Sequence, residues 1–264
     1  MSHTPRKRFS QNFLVDETVV AAIVDVIAPR SGDNMVEIGP GEGALTHPLS
    51  TRVAPLHVVE IDRDLAANLR ARYPAERLVV HEGDALEFDF AALGPRLRVV
   101  GNLPYHISTP ILFRLADCVP VLRDVHVMLQ KEVVDRMVAP AGASEYGRLS
   151  VMLQYHFDLD AVLDVPAEAF YPEPKVVSAV VRMIPRAKQI AAKDTTALQR
   201  VVAAAFAQRR KTLRNALGAY LGAEDFAKLG VDSRARAQEL DVATFVRIAD
   251  YVAERGAVTA SCAR

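Results

Sequence analysis

A chain of 264 residues, half of them hydrophobic, suits one large domain or two moderate ones and has ample apolar content for a core. No apolar run approaches the roughly 18 residues of a membrane span, and the N-terminus is basic and polar, so a cytoplasmic protein is expected. Cys118 and Cys262 lack CxxC partners and the histidines show no HxxxH spacing, which argues against a disulfide framework, a zinc site and a transition-metal enzyme.

The formal net charge of zero hides an asymmetry. Residues 1–181 hold 17 Lys/Arg against 24 Asp/Glu, a balance of −7, whereas residues 182–264 hold 15 against 8, a balance of +7. A basic C-terminal part on an acidic body suits a polyanionic partner, although ordinary scatter of surface charge gives the same numbers.

In chain order, Arg6-Lys7-Arg8 opens a basic arm that runs through Phe9 into Gln11-Asn12-Phe13-Leu14. It reads as a solvated tail or, with aromatics interleaved, as an arm that orders on a nucleic acid. Asp16 is placed to cap a helical segment, Val19 to Ile27, ended by Pro29. Met35 to Ile38 is a short strand that enters Gly39-Pro40-Gly41-Glu42-Gly43, a turn where backbone can approach a ligand, followed by a helical run to Val53. Leu56 to Ile61 is a second strand, with Glu60 placed 21 residues after Gly39, where a strand-end acid reaches ribose hydroxyls in dinucleotide-type folds. Leu78 to His81 is a third, ending in Glu82-Gly83-Asp84. Each acid alone reads as a solvated loop residue; at successive strand ends they suggest a nucleoside pocket.

The fourth strand, Leu97 to Val100, leads into Gly101-Asn102-Leu103-Pro104-Tyr105 and then Ser108-Thr109-Pro110, which looks like a helix start with a hydroxyl cap. Pro104 biases Leu103 towards extended backbone, so the Leu103 carbonyl has no helical partner. Asn102 offers a second acceptor oxygen and Tyr105 a flat face. Two acceptors and a ring suit the exocyclic amino group of a planar base, and a proline-ended turn with a half-buried tyrosine is the competing reading.

Beyond it, Val125 to Leu129 continues the sheet, Lys131 to Val138 is helical, and Arg148 to Phe157 is ambiguous between helix and strand. Leu159 to Val165 and Val176 to Ile184 read as a strand pair joined by Phe170-Tyr171-Pro172-Glu173-Pro174-Lys175, a stiff loop able to close over a base. From about Ala187 the pattern is helical, which places the domain boundary near Pro185. In that part Arg209, Arg210, Lys211 and Arg214 form a basic cluster, with Arg210 and Arg214 one helical turn apart, for RNA or simply for solvent.

Together these motifs resemble the KsgA/RsmA family of small-subunit rRNA adenine-N6 dimethyltransferases over nearly the whole chain. The resemblance rests on residues 7–14, Val36 to Gly41, Val59 to Asp62, Gly83-Asp84, Gly101 to Tyr105, Phe170 with Pro172 to Val176, and Phe206 to Leu217. It implies an α/β fold, a Rossmann-like class I methyltransferase sheet with helices on both faces over residues 1–186, and a small helical RNA-contacting domain over 187–264. It implies S-adenosylmethionine seated by Asn12, Leu14, Gly39, Glu60, Asp84 and Asn102, with Glu60 on the ribose and Asp84 on the adenine amino group. Catalysis would fall to Asn102, Leu103, Pro104, Tyr105 and Phe170, the last two stacking the extruded base, with no general base. The RNA contacts would be Arg6, Lys7, Arg8, Arg209, Arg210, Lys211 and Arg214. The expected partners are small-subunit rRNA and assembling 30S particles, with no metal, no membrane and a monomeric enzyme. Ser10, Tyr171 and Val177 depart from the family pattern. A nicotinamide enzyme (Gly39 to Ala44 also fits GxGxxG/A) and a non-catalytic assembly factor are the rival readings.

Overall fold

The computed structural model describes residues 12–187 and 191–261, so Arg6, Lys7 and Arg8 lie outside the described residues. In chain order the elements are β1 (Phe13–Leu14), α1 (Glu17–Ile27), β2 (Met35–Ile38), α2 (Thr46–Arg52), β3 (Leu56–Glu60), α3 (Arg63–Arg72), β4 (Leu78–Glu82), β5 (Leu97–Asn102), α4 (Ser108–Asp117), β6 (Leu122–Gln130) and α5 (Lys131–Val138). They continue with α6 (Arg148–His156), β7 (Phe157–Val165), β8 (Phe170–Tyr171), β9 (Ser178–Pro185), α7 (Thr195–Phe206), α8 (Leu213–Ala216), α9 (Ala223–Leu229) and α10 (Val242–Ser261).

The chain forms two compact units. The first comprises the chain up to Val134 together with Phe157–Pro185, and it holds a seven-stranded sheet in the order β4-β3-β2-β5-β6-β9-β7. β4, β3, β2, β5 and β6 pair in parallel; β9 runs antiparallel to both β6 and β7. β2 and the start of β5 are buried at every residue, as expected of parallel strands covered on both faces. From β2 the chain winds outward through β3 and β4, then returns to place β5 on the other side of β2. That reversal opens a crevice beyond the carboxyl ends of β2 and β5. β1 and β8 form a separate two-stranded antiparallel ribbon, with Phe13 opposite Tyr171 and Leu14 opposite Phe170.

Local chemistry sets the helix ends. The Asp16 carboxylate accepts from the Thr18 and Val19 N–H groups at the start of α1, and Asp62 accepts from Asp64 N at the start of α3. The hydroxyl cap expected for α4 is absent: Ile107 takes the cap position, and Ser108 Oγ instead donates back to the Pro104 carbonyl at 3.1 Å. Tyr105–Ile107 already coil as a 3-10 turn, so Ser108 is the first residue of the helix rather than its flank.

The second compact unit comprises Asp135–His156 with the chain from Arg186 onward. The ambiguous stretch is helix α6, and it clusters with α7 and α10 rather than with the sheet. The expected N-terminal domain, 1–186, therefore differs from the first unit by this excursion. The buried face of α6 (Leu149, Val151, Met152, Leu153, Tyr155) explains why periodicity did not separate helix from strand: it is apolar on nearly all sides. The expected helical spacing of Arg210 and Arg214 is also corrected. α7 ends at Phe206, residues 207–211 turn, Thr212 bridges to Arg236, and the helix restarts at Leu213, so the two arginines do not share a helical turn.

Candidate functional site

The crevice is a cavity of about 340 Å³ in the first unit. Asn12, Leu14, Gly39, Glu60, Asp84, Asn102, Leu103, Pro104 and Tyr105 all line it. Two glycines permit the approach. At Gly101 a Cβ would sit 2.5 Å from the Ile38 carbonyl, so any side chain would push β5 away from β2. Gly41 has φ +57, and a Cβ there would meet the Phe13 ring at 3.1 Å. The β1 aromatic therefore packs directly against the glycine turn.

Glu60 ends β3 with 4% of its surface exposed. Its Oε2 accepts from Gly41 N at 3.1 Å and its Oε1 from Asp62 N at 2.9 Å. Burial raises its pKa, while those backbone bonds and that of Ile61 pull the other way. Each oxygen keeps a lone pair for a further donor. Asp84 is half-buried, with Oδ1 accepting from Leu86 N at 2.9 Å. Glu37, on β2, also lines the cavity; burial raises its pKa to about 8, and the Glu60 charge adds to this against the Thr46 hydroxyl that donates to Oε2 at 2.6 Å.

At the end of β5 the Asn102 side chain donates through Nδ2 to the Asn12 carbonyl at 3.1 Å. The amide nitrogen is thereby committed, and Oδ1 is left as an acceptor. Leu103 buries its side chain and donates its N–H to Met128 O at 3.1 Å; among the described residues nothing donates to its carbonyl. Pro104 is held by Ile107 N and Ser108 Oγ, both donating to its carbonyl. The Tyr105 hydroxyl is 2.7 Å from Ser178 Oγ on β9, which pins the ring, and burial raises its pKa.

These residues fit S-adenosylmethionine: ionised carboxylates only accept, which suits the hydroxyl and amino donors of its nucleoside, and apolar Ile38, Ile61, Ala85 and Leu103 line the same cavity. The sequence reading missed Phe13, Glu37 and Ile61 as lining residues. The signal for Ile61 was an apolar residue directly after a strand-end acid, and it is 48% exposed.

Phe170 is a correction. It does not line the cavity; with 4% exposure it packs in a cluster with Leu14, Met128, Val165 and Val180. Its pairing opposite Leu14 turns the ring into the core, and strand alternation sends Tyr171 outward. Arg209, Arg210, Lys211 and Arg214 are exposed in the second unit, Arg209 donating to the Ser144 carbonyl. Among the described residues no His/Cys/Asp/Glu cluster could hold a metal ion, and no helix is long and apolar enough to cross a membrane.

Comparison with known proteins places this geometry in context. The family model described as ribosomal RNA adenine dimethylase matches residues 2–254. Ribosomal RNA small subunit methyltransferase A of Thiobacillus denitrificans is 58% identical over 254 residues, covering 96% of this chain and 100% of the relative. The protein of the same name from Aromatoleum aromaticum is 58% identical over 254 residues, 96% of each. Among solved structures, a dimethyladenosine transferase from Plasmodium falciparum has a TM-score of 0.80 at 24% identity, covering 92% of this chain and 98% of that one. The 23S rRNA methyltransferase ErmE has a TM-score of 0.71 at 24% identity, covering 92% and 100%. Both structures share the fold.

Proposed function

The chain belongs to the ribosomal RNA adenine dimethylase family, and on that premise we propose that it dimethylates the N6 amino groups of two adjacent adenines near the 3′ end of small-subunit (16S) rRNA. It is an S-adenosylmethionine-dependent methyltransferase. The proposed substrate is the assembling small subunit, and the enzyme acts as a monomer in the cytoplasm. The observation that carries the reading is that one cavity holds both the strand-end acids and the anchored Asn102-Leu103-Pro104-Tyr105 turn.

Glu60 would accept from the ribose hydroxyls and Asp84 from the adenine amino group of S-adenosylmethionine, with Asn12, Leu14 and Gly39 completing the seat. When bound, this cofactor supplies an electrophilic methyl group. The adenine amino nitrogen is a poor nucleophile because its lone pair is delocalised into the ring. Asn102 Oδ1 and the Leu103 carbonyl answer that problem by accepting its two N–H bonds, which localises the lone pair and aims it. Because Nδ2 is tied to Asn12 and Leu103 N to Met128, both acceptors are fixed before the base arrives. Positioning of this kind is the main source of rate for such a transfer. No side chain need remove a proton beforehand; the cationic product is acidic enough to lose one to water. Monomethyladenosine keeps one N–H for these acceptors, so the second transfer leans more on ring seating by Tyr105.

Arg209, Arg210, Lys211 and Arg214, with Arg6, Lys7 and Arg8 of the arm, would neutralise phosphates of the particle. The adenine must leave its stack to enter, and Tyr105 replaces part of the lost stacking. Phe170 would contribute only if its ring left the cluster it occupies. Mass spectrometry of rRNA from a strain lacking the gene tests the proposal. Loss of N6-dimethyladenosine from two adjacent small-subunit positions, restored by the gene but not by an Asn102→Ala copy, is expected; unaltered small-subunit rRNA would refute it.

A further inference from the structure

Tyr171 is 66% exposed, the most exposed large apolar side chain among the described residues, and nothing in the reaction above uses it. A single exposed aromatic ordinarily needs no explanation. Its position is what sets it apart. Tyr171 lies directly opposite Phe13 in the β1–β8 ribbon, and residues opposite one another in an antiparallel pair share a face. Phe13 lines the cavity, and the residue before it, Asn12, holds the Asn102 amide. Seven residues after Tyr171, Ser178 meets the Tyr105 hydroxyl. The segment 171–177 therefore connects the strand partner of Phe13 to the hydrogen-bond partner of Tyr105, two residues that line the cavity, and it is exposed nearly throughout, with Tyr171 at its start and Val176 and Val177 apolar near its end.

Resting on the functional reading above, we propose that Tyr171 stacks the nucleobase adjacent to the target adenine and so holds the RNA strand at the mouth of the site. When one base is extruded into the cavity, its neighbour on the strand is tethered at the rim and loses a stacking partner. A flat, solvent-facing ring one residue pair from the Asn12–Asn102 contact offers that base a replacement surface. Phe170 points into the core, so it cannot share this task without rearrangement.

The test compares Tyr171→Ala and Tyr171→Phe with the wild type on unmethylated small-subunit particles. Tyr171→Ala is expected to raise the KM for particles about 5- to 150-fold, the range for one lost stacked base, while calorimetric affinity for S-adenosylmethionine stays unchanged. Tyr171→Phe should restore KM, which a merely structural role of the hydroxyl would not. Independently, p-benzoylphenylalanine placed at position 171 should crosslink on irradiation to the nucleotide flanking a methylated adenine, mapped by reverse transcription. An Ala variant with KM within twofold of wild type, or crosslinks that fall outside the adenine pair and the nucleotides flanking it, or no crosslink at all, would overturn the proposal. A wild type that transfers methyl groups to no particle would refute the functional reading itself, and the role of Tyr171 with it.

Discussion

Replacing Glu60 by glutamine changes one atom and leaves the shape of the site intact, which makes the outcome calculable. In the wild type Oε1 and Oε2 each accept one backbone N–H, from Asp62 and from Gly41. A glutamine offers one oxygen, so its NH2 must face one of those donors. A single buried N–H left unsatisfied lowers stability by about 1–3 kcal/mol. At the cofactor, hydrogen bonds to a charged acceptor are worth about 1.5–3 kcal/mol, so affinity for S-adenosylmethionine should fall roughly 10- to 150-fold. Isothermal titration calorimetry measures the affinity, and thermal unfolding without cofactor confirms that the variant is folded. Because burial raises the pKa of Glu60, wild-type affinity should weaken on acidification at a higher pH than for an exposed carboxylate, and the variant should lack that dependence. A folded Glu60→Gln protein with wild-type affinity would refute the placement of Glu60 at the ribose.

Asn102→Ala removes one fixed acceptor; single-turnover transfer at saturating cofactor and RNA should slow about 100-fold or more, measured with radiolabelled methyl groups, whereas particle affinity changes little. Glu37 titrates near 8 in the fold against an ordinary value of 4.5, so the native state holds the extra proton between those values. Its contribution is full at low pH and is lost as pH rises, with a slope of at most about 1.4 kcal/mol per pH unit. Chemical denaturation across this window should show Glu37→Gln gaining stability over wild type as pH rises; a flat difference would mean that Glu37 is ionised in the native state. Reversing Arg210 and Arg214 to glutamate should weaken particle binding and flatten its salt dependence, by about one unit of log–log slope per residue, with cofactor affinity unaltered. Filter binding across a salt series measures both quantities.

Much of the sheet was legible because its strands are short apolar runs ending in punctuating polar residues: Glu60, Asp84 and Asn102 each follow such a run, and each lines the cavity. What escaped depended on partners distant in sequence. Arg98 sits inside the run read as an apolar strand, yet it is buried because Asp33, Asp124 and the Ile27 and Ala28 carbonyls surround its guanidinium. The inward turn of Phe170 follows from its pairing opposite Leu14, which no local pattern announces. Nor does periodicity reveal the break in helix at 207–212, since the bridge from Thr212 to Arg236 lies across 24 residues. The anchoring of Asn102 by the Asn12 carbonyl spans 90 residues and is equally invisible to any local pattern.

The proposed reaction is methyl transfer to adenine N6 within the assembling small subunit. Radiolabelled methyl transfer to unmethylated small-subunit particles and to an isolated hairpin of the same sequence, followed by digestion to nucleosides, tests it most directly. Label is expected in N6-dimethyladenosine and its monomethyl intermediate only, with the particle a far better acceptor because it offers many more phosphates to the basic cluster of the helical unit. Equal rates on the two substrates, or label in any other nucleoside, would contradict it.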